Sequence, residues 1–257
     1  MKTKEEIVSN WLPRYTSMPL ENFGKYILLC NFRHYIESFS EHYNVPIMGI
    51  DNNMQACTHN DITIINFGMG SPNAATIMDL LGAINPLAVI FLGKCGSLKD
   101  KLKVGSFLLP TAAIRGEGTS DDYIDPRVPS LPAFALQKAL STTIREYEQD
   151  YWTGPVYTTN RRVWEHDEAF KQKLTQMRAT GIDMETATLF VVGFVNHIPT
   201  GALLLVSDQP MTPEGVKTDK GDKSVTQNYS LLHLKIGMDS LKKIRDNGET
   251  IKHLRWE

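Results

Sequence analysis

Five consecutive residues, Ala202-Leu203-Leu204-Leu205-Val206, carry no polar side chain. The run is strand-sized, and a strand that is oily on both faces has to be covered on both faces. It leads straight into Ser207-Asp208, so a carboxylate stands where the strand runs out. In open α/β sheets the carboxyl ends of strands are where ligands bind. Just upstream, Gly181-Ile182-Asp183-Met184-Glu185-Thr186 opens an apolar helical run to Phe194. Each of those acids has a structural reading: Asp183 as a helix N-cap, Glu185 as an acid favoured by the positive helix end. Three acids on two adjacent strand ends favour a site instead, with Asp208 a candidate acid, base or sugar-hydroxyl acceptor.

The remaining chain alternates helical and strand patterns. Helical periodicity covers residues 4–12, closed by Pro13, then 32–42, 74–84, 133–148, 168–177 and about 225–245. Strand material covers 25–29, 62–67, 88–92, 106–110, 112–115 and 155–158. Residues 116–132 and 211–223 read as loops. With no repeat, linker or low-complexity segment, the expected architecture is one α/β domain over 1–257. Its mixed, largely parallel central sheet would carry helices on both faces.

Composition closes several function classes. Lys and Arg number 27 against 29 Asp and Glu in 257 residues, a formal net charge of −2 with no basic run, which gives nucleic acid and anionic membranes nothing to hold. No apolar run approaches the ~20 residues of a membrane span. Cys30, Cys57 and Cys95 share neither metal-type nor redox spacing. The polar first ten residues show no signal peptide. A cytoplasmic protein with reduced thiols is expected.

Four loops are candidates for chemistry. Gly68-Met69-Gly70-Ser71-Pro72-Asn73 joins a strand to a helix, with Ser71 as expected N-cap and Pro72 at the first helical position. Gly70 and Ser71 there would offer backbone N–H groups to a phosphate or sugar. The third glycine of the dinucleotide fingerprint and its ribose acid are missing, which disfavours a nicotinamide cofactor. Gly93-Lys94-Cys95-Gly96-Ser97 reads as a glycine loop after a strand, and Lys94 is either a solvated charge or a partner for an anion. Arg115 opens Arg115-Gly116-Glu117-Gly118-Thr119-Ser120. Arg162 and Trp164 stand in Asn160-Arg161-Arg162-Val163-Trp164-Glu165. A guanidinium beside an indole suits a phosphate and a flat base, or is ordinary packing. No zinc-type histidine spacing occurs, so neither metal nor cofactor is expected, and no nucleophile elbow occurs either.

Asp183-Met184-Glu185-Thr186-Ala187-Thr188 and Val206-Ser207-Asp208 together resemble the two signatures of the nucleoside phosphorylase and nucleosidase superfamily. More narrowly, the Gly68–Asn73 turn, Gly93-x-Cys95-Gly96, Arg162-x-Trp164-Glu165 and His233-Leu234-Lys235-Ile236-Gly237 look like AMP nucleosidases, over about residues 25–240. Long members of that family carry a further N-terminal domain, so the resemblance is to a short form. The loop from Arg115 to Tyr123 is closer to uridine phosphorylases.

The resemblance implies hydrolysis of AMP to adenine and ribose 5-phosphate. Asp208 would be general acid at the purine and Glu185 would hold the ribose hydroxyls. Met184 would pack under the sugar and Trp164 would stack on the base. Arg162, Arg115 and Lys94 are candidates for the 5′-phosphate, and Asp183 is the water's base or a cap. It also implies a homo-oligomer, a hexamer, with a neighbour completing the 5′ end of the site; Phe32, Arg33 and His34 are candidates for that role. The rival readings are a purine or uridine nucleoside phosphorylase using inorganic phosphate, and a nucleotide sensor without chemistry.

Overall fold

The computed structural model describes residues 2–247; Met1 and residues 248–257, the two ends of the expected domain, lie outside the described residues. Eight strands follow in order: β1 (Tyr26–Cys30), β2 (Gln55–His59), β3 (Ile62–Asn66), β4 (Ala88–Ser97), β5 (Phe107–Gly116), β6 (Tyr151–Thr159), β7 (Gly181–Asp183) and β8 (Thr200–Asp208). Seven α-helices are described: α1 (Lys4–Thr16), α2 (Arg33–Tyr43), α3 (Ser71–Leu80), α4 (Phe134–Glu146), α5 (Glu168–Gln176), α6 (Thr186–Val195) and α7 (Asp219–Asn247).

The strands form one sheet in the order β2-β3-β1-β4-β7-β6-β5-β8, and β8 also pairs with β4. Strands β4, β7, β6, β5 and β8 therefore close into a ring, and β1, β3 and β2 extend from it through β4. Five of the eight pairings are parallel, which agrees with the mixed, largely parallel sheet expected.

The oily strands divide their side chains between two cores with the period of two that a pleated strand imposes. On β8, Ala202, Leu204 and Val206 join Ile27, Leu29 and Phe91 on one face. Leu203 and Leu205 join Leu28, Ile90 and Leu92 on the other, against α4 and α7. A ten-residue apolar helix, α6, buries all but its last turn against the first face. Among the described residues no helix is long and apolar enough to cross a membrane.

Several local expectations change. Gly93–Ser97 is not a loop: β4 runs unbroken to Ser97, and all ten of its residues are buried. Its glycines serve close approach, since a Cβ at Gly93 would lie 2.4 Å from the Phe91 ring and one at Gly96 would lie 2.9 Å from Pro210. Helix α1 continues past Pro13 to Thr16, because buried Leu12 and Thr16 fasten its last turns and the proline removes only one backbone donor. The cap of α3 is Gly70, at φ +94°, rather than Ser71. The two short strand segments 106–110 and 112–115 are one strand, β5, with a register shift between Pro110 and Ala112. Helix α7 starts at Asp219 and absorbs part of the polar 211–223 loop.

Candidate active site

The carboxyl ends of β1, β6 and β8, the β7–α6 turn and the last residues of β4 meet around one cleft. Strand β7 is only three residues long, yet it is fixed on both sides: Asp183 is in register with Thr158 of β6, and Ile182 with Gly96 of β4. Asp183 then ties down the turn. Its Oδ1 accepts from the Thr158 hydroxyl at 2.7 Å; its Oδ2 accepts from the Thr186 N–H at 2.8 Å, the Glu185 N–H at 3.3 Å and the Thr186 hydroxyl. A carboxylate this fully engaged fastens the turn into α6, whose N-cap residue is Glu185 rather than the expected Asp183, and positions that neighbour.

That neighbour is Glu185, 2% exposed. Its Oε1 accepts from the Gly70 N–H at 2.8 Å and its Oε2 from the Met184 N–H at 3.3 Å. Burial, and then the adjacent Asp183 charge, push its carboxyl up to about 8, against the pull of those N–H donors and the Asn31 amide. Met184 lines the cleft beside it. Asp208, at the end of β8, accepts from the Ser207 hydroxyl at 2.5 Å. Its carboxyl is raised by burial, although the Ser207 hydroxyl and the Lys217 and Arg162 charges oppose the rise. One buried and one part-buried acid, both raised toward their protonated forms, share one cleft.

The other expected residues divide. Arg162 lines the cleft with a half-exposed side chain, 3.6 Å from Glu165. Trp164 lines it too but is 4% exposed and packs edge-on against Phe170 at 5.5 Å, so most of its ring serves the core. Lys94 reaches the cleft, paired at 2.9 Å with Asp222.

Gly70 and Ser71 are not among the cleft-lining residues: the Gly70 N–H is spent on Glu185, and the Ser71 hydroxyl donates to the Met184 carbonyl at 2.6 Å. They hold the acid turn rather than cradle a ligand. Phe32, expected at a neighbour's site, lines the cleft of its own chain. The sequence reading missed Asn31, Met69 and Lys217 as lining residues. Asn31 follows directly on β1, so the rule of strand carboxyl ends identifies it; Lys217 lies in a polar stretch that carries no such signal.

Arg115 is a correction. Its Nε donates to the Ser120 hydroxyl, its Nη1 to the Asp125 and Val128 carbonyls, and its Nη2 to Asp121 and the Ile124 carbonyl. These bonds use all five guanidinium donors, and Arg115 does not line the cleft. It is the clamp of the 116–128 loop. Arg115→Ala is therefore expected to lower unfolding stability by about 1–3 kcal/mol, because it removes five hydrogen bonds that hold a part-buried loop together, while KM of the remaining folded protein stays the same. Chemical denaturation alongside substrate saturation checks both. Among the described residues no group of three or more His, Cys, Asp or Glu side chains is placed to hold a metal.

The sequence pattern of the phosphorylase superfamily matches residues 25–237, a span holding every described strand and every residue placed in or around the cleft. This chain belongs to the phosphorylase superfamily. Among relatives within it, AMP nucleosidase of Escherichia coli strain K12 is 26% identical over 287 residues. That match takes in 93% of this chain and 59% of the relative, so the chain spans about three-fifths of that protein's length. The crystal structure of AMP nucleosidase from Bacteroides thetaiotaomicron VPI-5482 is 56% identical, with a TM-score of 0.86 over 95% of this chain and 99% of that one. Uridine phosphorylase from Vibrio fischeri ES114 superimposes with a TM-score of 0.77 over 87% of this chain and 94% of that one, and at 22% identity the likeness is one of fold.

Proposed function

We propose that this phosphorylase-superfamily protein hydrolyses the N-glycosidic bond of AMP, giving adenine and ribose 5-phosphate. The observation that carries the reading is the pair of carboxyls, buried Glu185 and part-buried Asp208, raised by their surroundings and facing one cleft whose lining also holds cations. The 56% identity to the AMP nucleosidase of Bacteroides supports the choice of substrate.

The bond between C1′ and the purine nitrogen breaks as positive charge builds on the sugar, as in other oxocarbenium-like glycosyl transfers. Adenine leaves poorly as an anion, so Asp208 donates a proton to a ring nitrogen as the bond opens; burial keeps that proton available above the ordinary range of an aspartate. Water adds its oxygen to C1′ and its proton passes to solvent. Glu185 accepts from the ribose hydroxyls and, once ionised by that binding, sets negative charge beside the developing cation. Met184 lies under the sugar and the exposed rim of Trp164 borders the base. Arg162, Lys94 and Lys217 are cleft cations available to the 5′-phosphate, whereas Arg161, which also lines the cleft, is held at 2.9 Å by Asp167.

The groove between Tyr123 and Thr200 exposes Leu131, Phe134 and Phe194, and supports assembly of several copies, six by the resemblance. Three buried thiols suit a cytoplasmic setting. A substrate panel tests the function: adenine release from AMP and adenosine, and uracil release from uridine, each with and without inorganic phosphate. Release from AMP without phosphate is the expected result. Release from nucleosides only when phosphate is present would make the protein a phosphorylase, and no release from any of them would leave a sensor.

A further inference from the structure

Lys94 belongs to a built cluster whose shared carboxylate, Asp222, the proposed chemistry leaves unexplained. Its side chain is 2% exposed, and its ammonium donates to Asp222 Oδ1 at 2.9 Å and to the Thr226 hydroxyl at 2.8 Å, both on the first turns of α7. The same Asp222 Oδ1 lies 3.0 Å from Lys217 Nζ. Both ammonium groups also stand over the Phe32 ring, at 4.5 and 5.5 Å from its centroid. Lys94, Lys217 and Phe32 line the cleft with Asp208 and Glu185, whereas Asp222 and Thr226 do not. The Nε2 of His34, two residues beyond Phe32, is buried without a hydrogen-bond partner.

Two cations thus converge on one carboxylate oxygen at the edge of the cleft, leaving one positive charge in surplus. A carboxylate carries one charge, whereas a phosphate monoester carries about −1.5 to −2 and three strong acceptor oxygens. Both bind the same donors, and the phosphate binds them more strongly. Asp222 is tethered to the chain, so it returns whenever the phosphate leaves.

We propose that Lys94 and Lys217 form the subsite for the 5′-phosphate and that Asp222 is its built-in competitor, displaced when a phosphorylated sugar enters and expelling the sugar phosphate when it returns. This rests on the reading of the cleft as a nucleotide site. A resident competitor weakens the hold on substrate and product alike, a form of uniform binding whose loss speeds product release without touching the bond-breaking step.

The test is calorimetric titration with ribose 5-phosphate, ribose and adenosine, none of which requires turnover. Asp222→Asn, with Asp222→Ser as the second charge-free variant, is expected to bind ribose 5-phosphate about tenfold more tightly, the effect of removing one competing charge. Adenosine and ribose binding should stay at their wild-type values. Lys217→Gln, in an irregular segment, should bind ribose 5-phosphate about tenfold more weakly and adenosine unchanged. Unchanged or weaker ribose 5-phosphate binding in the Asp222 variants overturns the competitor, as does an equal gain for adenosine. No loss in Lys217→Gln overturns the subsite. If the wild type binds ribose 5-phosphate in this pattern yet releases no adenine from AMP, the hydrolase reading fails and the subsite stands.

Discussion

Asp208→Asn is expected to lower kcat for AMP by about 10²- to 10⁴-fold, the range of a lost general acid, while KM stays near its wild-type value. The side chain closes a rigid strand, and its nearest partner is the Ser207 hydroxyl of its own backbone neighbour. An amide of the same shape keeps the packing and removes only the transferable proton. A loss confined to kcat marks an interaction made in the transition state. The pH profile gives a second check. Asp208 is raised by burial, and the wild type falls off on the alkaline side as that proton is lost; the variant should lack this limb. Steady-state adenine release across pH measures both. Equal losses in kcat and affinity, or no loss, would remove Asp208 from the acid role.

Glu185→Gln is expected to cost about 10²-fold in kcat/KM, since it removes the charge beside the developing cation, and at the same time to stabilise the fold at mildly alkaline pH. Unfolded, a glutamate titrates near ~4.3; folded, Glu185 titrates at about 8. Below the unfolded value both states hold the proton and the stability is complete. As pH rises toward the folded value the unfolded chain ionises first, so stability is progressively lost up to about pH 8. Glutamine does not titrate. The melting temperature of the variant should therefore match the wild type near pH 4 and exceed it at pH 8. Thermal melts across that window check the sign, and a variant less stable at pH 8 would contradict the buried, charge-opposed setting of Glu185.

How much of this is legible in the sequence depends on whether the residue's neighbours are local. The oily run of β8 and the acids at its end declare both the sheet and the site, because a strand buried on two faces leaves its carboxyl end as the natural place for polar groups. Asp183, Met184 and Glu185 are legible for the same reason. Gly93 to Ser97 misleads because glycine marks turns in isolation, whereas here it leaves room for the ring of Phe91 on the same strand and lets Leu204 and Pro210 approach. Arg115 misleads because its five partners lie on a loop whose path no local pattern reveals. Lys217 is invisible for the converse reason: only the approach of Asp222 and Phe32 brings that charge to the cleft.

The most direct measurement is a phosphorus NMR time course of the purified protein with AMP in phosphate-free buffer. The account predicts that the AMP resonance is replaced one for one by ribose 5-phosphate, with adenine released in equal amount and no dependence on added inorganic phosphate. AMP that persists without phosphate, or a second sugar-phosphate resonance that grows only when phosphate is supplied, would contradict it.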